Sequence, residues 1–574
     1  MVNIVWFQFD LRINDHLPLF DASSAGSIIP LFIYDEKIWE GNDRSNRHRK
    51  FLFESLVDLD NELKKYQISL YVKIGDPLKI FHYLLSKYGK YSVFFHHETN
   101  INYHRLKVEK IKKWFHNNSI EFHEYQKNAV VAGLKSRNVW SQKWKEIINN
   151  EVVSQPKQIT GDYLNDNQII KLEENFVKEG DFQKGGRSEG LRKLNEFLKS
   201  RSRTYQIDIS KPQKSVFSSS RLSPYLSFGC LSLREINQKL EKRIIQLEDK
   251  FWRKSLYSFG NRLKWHCHFI QKLEDEPLIE SKNLHSAYDK IRKPEDLNID
   301  TFNSWKEGFT GFPMIDACMR SLIKTGWINF RMRALLMSFH SYNLFNHWKP
   351  AADYLATLFL DYEPGIHFSQ CQMQSGTTGI NTLRVYSPIK QSMDQDPSGE
   401  FIKKWVPELK DVSINDIHTP WLSQKKEKYI NPIVDEKGSR KRALFEIGQI
   451  RKHNDFKKTS KKIYDKHGSR KNTQDQRRTQ KEMKLRIRTA YIILINLLHY
   501  LMKDMTKNEI ANIIHVLAYL AKINNVVDPA EKKTFKIVCE RFGIKIPDLK
   551  EILKESISLR KSLNAIHSKE AKNI

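Results

Sequence analysis

The sequence predicts an α/β N-terminal domain on a doubly wound parallel sheet, then an all-α domain, then a small all-α C-terminal module. Three observations predict it. Short β-rich apolar runs alternate with helical patterns over residues 1–125, long helical segments broken by Gly and Pro fill 186–430, and the composition turns strongly basic after about 435.

Asn3–Phe7, Ile28–Tyr34, Ser69–Ile74 and Ser92–His96 are short runs rich in β-branched and aromatic residues. Between them Leu52, Leu56, Leu59 and Leu63 recur at helical spacing, so they share one face. Strands alternating with helices imply parallel pairing with right-handed crossovers. Residues 126–185 are rich in Lys, Asn and Gln, with weak periodicity, and read as a connector over the surface. In 186–430, Pro224, Pro313, Pro364 and Pro388 mark the breaks between helices. Residues 451–490 carry 15 Lys/Arg against 4 Asp/Glu, so 431–488 reads as a flexible basic linker. Beyond it, Ala490–His499 and Ile510–Ile523 are amphipathic, and Asp528-Pro529 has the form of a helix start, which predicts a helical module over 489–574.

The chain has 574 residues, more than one domain usually holds, and its 40% hydrophobic content suits packed cores. Lys and Arg number 96 against 67 acidic residues, a net charge of +29 that favours a polyanionic partner through counterion release. A solvated basic surface without a partner is the plainer alternative. Five scattered cysteines with no CxxC argue against a disulfide framework and fit a reducing cytoplasm. The start MVNIVWFQFD lacks a signal-peptide plan, and the longest apolar run, Ala490–Leu498, is too short to span a membrane.

Several motifs follow in one order. Val5-Trp6-Phe7-Gln8-Phe9-Asp10-Leu11-Arg12 opens the chain. Ser219-Ser220-Arg221-Leu222-Ser223-Pro224-Tyr225-Leu226-Ser227-Phe228-Gly229 comes next, then Trp305-Lys306-Glu307-Gly308-Phe309-Thr310-Gly311-Phe312-Pro313 with Asp316 and Met319-Arg320. Thr325-Gly326-Trp327 precedes Arg331 and Arg333, and Arg384-Val385-Tyr386-Ser387-Pro388 leads to Trp405-Val406-Pro407-Glu408-Leu409. Together they resemble the photolyase/cryptochrome superfamily over about residues 1–425. Leu517-Ala518-Tyr519-Leu520-Ala521 and Asp528-Pro529-Ala530-Glu531 further resemble the TerB-like helical module of tellurite resistance.

The resemblance implies a bent FAD deep in the helical domain, held by Tyr205, Ser219, Ser220, Arg221, Leu222, Ser223, Phe259, Arg262, His266, Asn329, Arg333, Asp361 and Glu363. It gives Trp265, Trp348, Arg333 and Arg262 the catalytic roles. Serines before a helix suit phosphate oxygens, and the helix start adds its positive end, although the same serines fit an ordinary N-cap. Arg333, inside an apolar helix, needs a partner. The resemblance places Asn343 where a carboxylate usually stands, which leaves the pairing of Arg333 open. Asp361 and Glu363 follow a long apolar segment, so a ligand contact or a polar helix edge accounts for them. Glu98 follows the fourth strand where relatives hold an antenna chromophore of folate or deazaflavin type.

The lesion-facing side departs from pyrimidine-dimer photolyases. Arg262 stands for their glutamate, His266 for their arginine, and Phe330 and Ala334 for asparagine and methionine, while Trp265 is retained. Of the three tryptophans that pass electrons to the flavin, Trp348 matches the middle one. The inner position falls near Phe368 or Ser369, and Tyr342, Tyr354 and Tyr362 are candidate substitutes. Trp265-His266-Cys267-His268 lacks a second ligand pair, and the cysteines lack iron–sulfur spacing, so no metal site is expected. Gln370–Asn381 reads as a polar loop at the cavity rim. The expected activity is light-driven repair of cyclobutane pyrimidine dimers in UV-damaged DNA by a monomer. The alternative is a blue-light sensor that signals through the C-terminal extension, where a protein partner would dock.

Overall fold

The computed structural model describes residues 2–161, 168–169, 182–423 and 429–468. The basic residues 469–488 and the TerB-like module expected over 489–574 lie outside the described residues.

The N-terminal domain is a five-stranded parallel sheet in the order β3-β2-β1-β4-β5. Its strands are β1 (Val2–Phe7), β2 (Ile28–Tyr34), β3 (Tyr71–Ile74), β4 (Tyr91–His96) and β5 (Glu121–Tyr125). The crossover helices are α1 (Leu17–Ala25), α2 (Asn46–Lys64), α3 (Pro77–Tyr88) and α4 (Asn102–Asn117). β2 and β4 are buried along their whole length, as continuous apolar runs covered on both faces must be. Along β1, Ile4 and Trp6 pack on the α3/α4 side, and Val5 and Phe7 on the other.

Two elements differ from the sequence expectation. β3 starts at Tyr71 because the Leu70 amide is taken by Asp60 Oδ1 at 2.8 Å. β5 was not expected: its sequence EFHEY alternates with charge and no residue in it is buried, the mark of an edge strand. The connector contains α5 (Trp140–Asn149), which buries Trp140, Trp144 and Ile148 at four-residue spacing.

The helical domain opens with α6 (Arg187–Lys199), α7 (Pro212–Ser218) and the single turn α8 (Ser223–Ser227), then α9 (Leu233–Gln246). Its long axis is α10 (Lys250–Asp275), capped by Asp249, which accepts from the Phe251 and Trp252 amides. After α11 (Pro313–Thr325) and α12 (Phe330–Ser338) come α13 (Trp348–Leu358) and α14 (Pro364–Ser375), and α14 packs along α10. The stretch from 431 read as a flexible linker is helical as far as His467. It forms α15 (Glu436–Lys452) and α16 (Asn454–His467). Few apolar residues anchor the pair, among them Ala443, Ile447 and Phe456, whose ring stacks 4.2 Å from His285. The many Lys and Arg between them hid that spacing.

The two halves share one core. The Phe228 carbonyl accepts from the Leu11 amide at 3.3 Å, and Gly229, at φ +68°, lies so close that a Cβ would stand 2.0 Å from the Phe9 carbonyl oxygen. At the N-terminus of α2, Arg47 donates to the Leu358 carbonyl at 2.8 Å and His48 to that of Phe359 at 2.8 Å. Gly229→Ala combines a left-handed backbone with a backbone clash, so it is expected to cost at least about 2 kcal/mol, read as a lower thermal midpoint by circular dichroism. Among the described residues no helix is long and apolar enough to cross a membrane.

Candidate cofactor cavity

The helical domain encloses a cavity of about 720 Å³. That is within the range that takes a large cofactor. Its walls come from the 219–223 turn, the middle of α10, α12, the 361–363 segment, α14 and the end of α16.

The serine turn is held from behind. Arg201 donates to the Ser219 carbonyl at 2.7 Å and to that of Ser220 at 3.5 Å. Ser219 Oγ is buried without a hydrogen-bond partner. Arg221 sits at φ +58°, a conformation that is rare outside glycine. Its guanidinium donates to Gln183 Oε1 at 2.8 Å and lies 4.1 Å over the Trp327 ring. Leu222 and Ser223 complete the turn, and Ser223 hydrogen-bonds Asp361. Because α8 is only five residues long, a phosphate here would be met by hydroxyls and turn amides rather than by a helix dipole. Ser227 donates to the Tyr362 carbonyl at 2.7 Å, which ties the turn to the opposite wall.

Tyr205 and Phe259 pack edge to face at 5.8 Å beside the turn, and burial pushes the Tyr205 hydroxyl up to about 12. Asn329 lines the cavity, but its amide is spent locally: it donates to Ser215 Oγ and caps α12 by accepting from Met332.

On the far wall Arg333 makes a two-pronged pair with Asp361, both distances 2.9 Å, and lies 4.2 Å over the Phe359 ring. Burial alone would raise Asp361; Arg333 outweighs it and holds the carboxyl below its ordinary range. The partner of Arg333 is therefore Asp361. Asn343, which the sequence suggested in a carboxylate's place, donates instead to Ser439. Glu363 is different: burial pushes it up to about 7, Lys127 opposes this only in part, and its Oε1 has no partner. In the ligand-free chain this gives a pH signature. Below the unfolded carboxyl value near 4.3 both states hold the proton. As pH rises toward 7 the unfolded chain alone releases it, so stability falls across that window. Glu363→Gln is expected to raise the melting temperature relative to the parent at pH 8 and to leave it unchanged at pH 4.

Arg262 stands exposed at the rim, 5.9 Å over Phe330. His266 is half-buried and held neutral, its value lowered to about 4 by burial and then by Lys127. Trp265 is 41% exposed and stacks on Phe269 at 5.5 Å, so it is a platform at the mouth rather than core packing. Trp348 does not line the cavity. It is fully buried, its indole N–H donates to Asn283 Oδ1, and a chain of rings joins it to the cavity wall through Phe368 and then Tyr362, at 6.4 and 6.3 Å. Of the three tyrosines singled out, only Tyr362 lines the cavity. Residues 370–381 do reach the rim, but they are helical to Ser375. Sequence reasoning missed Arg201, Trp327, His367 and Cys371. Of these, Trp327 closes the Thr325-Gly326-Trp327 motif and Cys371 lies in the 370–381 segment, whereas Arg201, which braces the serine turn from behind, and His367, which α14 turns into the cavity, belong to no motif.

At the carboxyl ends of the strands, the space between Phe9, Asp35, Trp39 and His104 is about 30 Å³. That is too little for a folate or deazaflavin in this arrangement. Glu98 is occupied by Lys127, at 2.8 Å to both oxygens. Asp10, His16 and His96 cluster at metal-like spacing. However, His16 Nδ1 accepts from the Leu19 amide, so its Nε2 carries the hydrogen that Asp10 receives, which accounts for the cluster by hydrogen bonding.

Comparisons with known proteins agree with this geometry. The family description "FAD binding domain of DNA photolyase" matches residues 259–449, and "DNA photolyase" matches 3–138. A deoxyribodipyrimidine photo-lyase of Buchnera aphidicola is 30% identical over 80% of this chain and 99% of its own length. Cryptochrome DASH of Synechocystis is 25% identical over 73% of this chain and 90% of its own. The crystal structure of an archaeal photolyase from Sulfolobus tokodaii, with two FAD molecules, superimposes at a TM-score of 0.67 with 28% identity, covering 78% of this chain and all of that one. An orphan hydroxyl in a clamped serine turn, a cavity of cofactor size and this kinship meet in one place: the chain carries an FAD-binding domain and belongs to the photolyase/cryptochrome superfamily.

Proposed function

We infer that this chain is a light-driven DNA lyase that splits cyclobutane pyrimidine dimers. The observation that carries the reading is the cavity, which joins the serine turn and the Arg333–Asp361 pair to an exposed aromatic platform at its mouth. The chemistry that a reduced FAD held here would supply is a photoexcited electron, lent to the dimer and returned after ring opening. Ser219 and Ser223 would hold the diphosphate, and Tyr205 and Phe259 would flank the nucleotide. Arg333, fixed by Asp361, would offer a positive charge to the reduced cofactor. Glu363 near neutrality holds a proton that it can donate in a hydrogen bond. Phe359 and Leu355 exclude water on the inner side. Trp265 offers a face to a base flipped from the helix, while the chain's net charge of +29 meets phosphates.

The test is to mix the reduced protein with a dimer-containing oligonucleotide, in the dark and under blue light. Loss of dimers only in light supports repair. Intact dimers with reversible flavin reduction turn the reading to a blue-light sensor, which the kinship to a cryptochrome and the replacements Arg262 and His266 favour. Trp348 is proposed as a relay through Phe368 and Tyr362. Trp348→Phe is expected to slow light-driven flavin reduction by an added thiol severalfold, and to leave repair by pre-reduced protein unchanged. A second chromophore would require Trp39 to swing out of the strand-end space.

A further inference from the structure

We propose that the outer end of the cavity holds a second anion subsite, in which Lys272 and His467 bind a phosphate group of a nucleotide. Lys272 lines the cavity from α10 and is 5% exposed, with its ammonium 5.1 Å from the Phe269 ring. Among the described residues it has neither an ion pair nor a hydrogen-bond partner. A buried cation in that position is costly unless an anion joins it. No carboxylate answers it from the cavity. The lining carboxylates are Asp361 and Glu363, and Asp361 is already spent on Arg333. Of the acids that follow on α10, Glu274 pairs with His97 at 3.1 Å and Asp275 faces Arg137 at 3.5 Å. Arg137 adds a second positive charge close by, and His467 at the end of α16 is 1% exposed with an Nδ1 that lacks a hydrogen-bond partner. Two polar groups from two helices, each more than nine-tenths buried and neither satisfied, therefore border one space.

The position separates this subsite from the serine turn. Phe259 touches Tyr205 beside that turn, and Lys272 follows it by thirteen residues, about 20 Å along a helix. A phosphate at Lys272 is thus a different one from any held by Ser219. The spacing also identifies the ligand as a nucleotide. Trp265, Phe269 and Lys272 lie at i, i+4 and i+7, so they share one face of α10. An aromatic platform followed by a buried cation suits a base and its phosphate, in that order. The phosphate has two possible sources, a strand diester and a free phosphate.

The subsite does not depend on the repair reading, because flavin absorbance of the same samples reports the cofactor separately. Flavin-loaded protein is titrated with inorganic phosphate at constant ionic strength in chloride, followed by phosphorus NMR line width and by melting temperature. The parent is expected to bind saturably. Lys272→Gln is expected to weaken binding about tenfold, the ordinary worth of a charged hydrogen bond, and to melt above the parent without phosphate, since it removes a buried unpaired charge. Lys272→Arg and the flavin absorbance of each variant guard against misfolding. Displacement of phosphate by a thymidine dinucleotide supports a strand source, and displacement by a mononucleotide alone supports a free one. Equal binding by the parent and Lys272→Gln, or no saturable binding by the parent, overturns the subsite.

Discussion

Arg333→Ala is expected to purify nearly colourless and to melt a few degrees below the parent. The substitution leaves Asp361 as a buried carboxylate without its paired cation, at a cost of about 3 kcal/mol. In a protein of this size, with an unfolding entropy of about 1 kcal/mol/K, that is a fall of roughly 3 °C in the thermal midpoint. It also removes the fixed cation that the reduced flavin ring would face. Arg333→Lys keeps the charge and loses the two-pronged geometry, so it is expected to fall between the two in both flavin content and midpoint. Flavin absorbance per mole of folded protein, alongside calorimetry, checks both effects. Full flavin loading in Arg333→Ala would contradict the role proposed for this pair.

Trp265→Ala is expected to separate damage recognition from cofactor binding. The indole is exposed and rests on Phe269, so its removal opens no cavity in the core. Stacking of a base on such a ring is worth about 1–3 kcal/mol, so affinity for a dimer-containing oligonucleotide should drop about ten- to hundredfold. Affinity for undamaged duplex, set by phosphate contacts and therefore by salt, should stay unchanged. Fluorescence anisotropy with both oligonucleotides at one salt concentration decides it. Equal losses on the two would place Trp265 among the general contacts.

The sheet was legible because β1, β2 and β4 each hold an apolar run rich in β-branched and aromatic residues, a pattern that few other structures produce. β5 was not, since an edge strand with alternating charge carries too little apolar signal. The residues that the resemblance named for the cofactor all line one cavity, and Trp348 lies outside it. The partner of Arg333 stayed open in the sequence because pairing depends on which side chains meet across α12 and the 361–363 segment, and spacing along the chain does not encode that. α15 and α16 were hidden by charge: a helix that buries a few side chains among many lysines looks, in one dimension, like a solvated linker.

The contact of Gly229 with the Phe9 carbonyl has a consequence for biogenesis. One apolar core joins Val5 and Phe7 to Leu222, Phe228 and Leu256, so the sheet's second face is completed by residues more than 200 positions downstream. At bacterial and eukaryotic elongation rates that interval lasts on the order of 10–40 s. Throughout it the nascent chain must carry an uncovered oily surface on the ribosome. A fragment ending near residue 125 would inherit that surface permanently, so it should require a chaperone to stay dispersed.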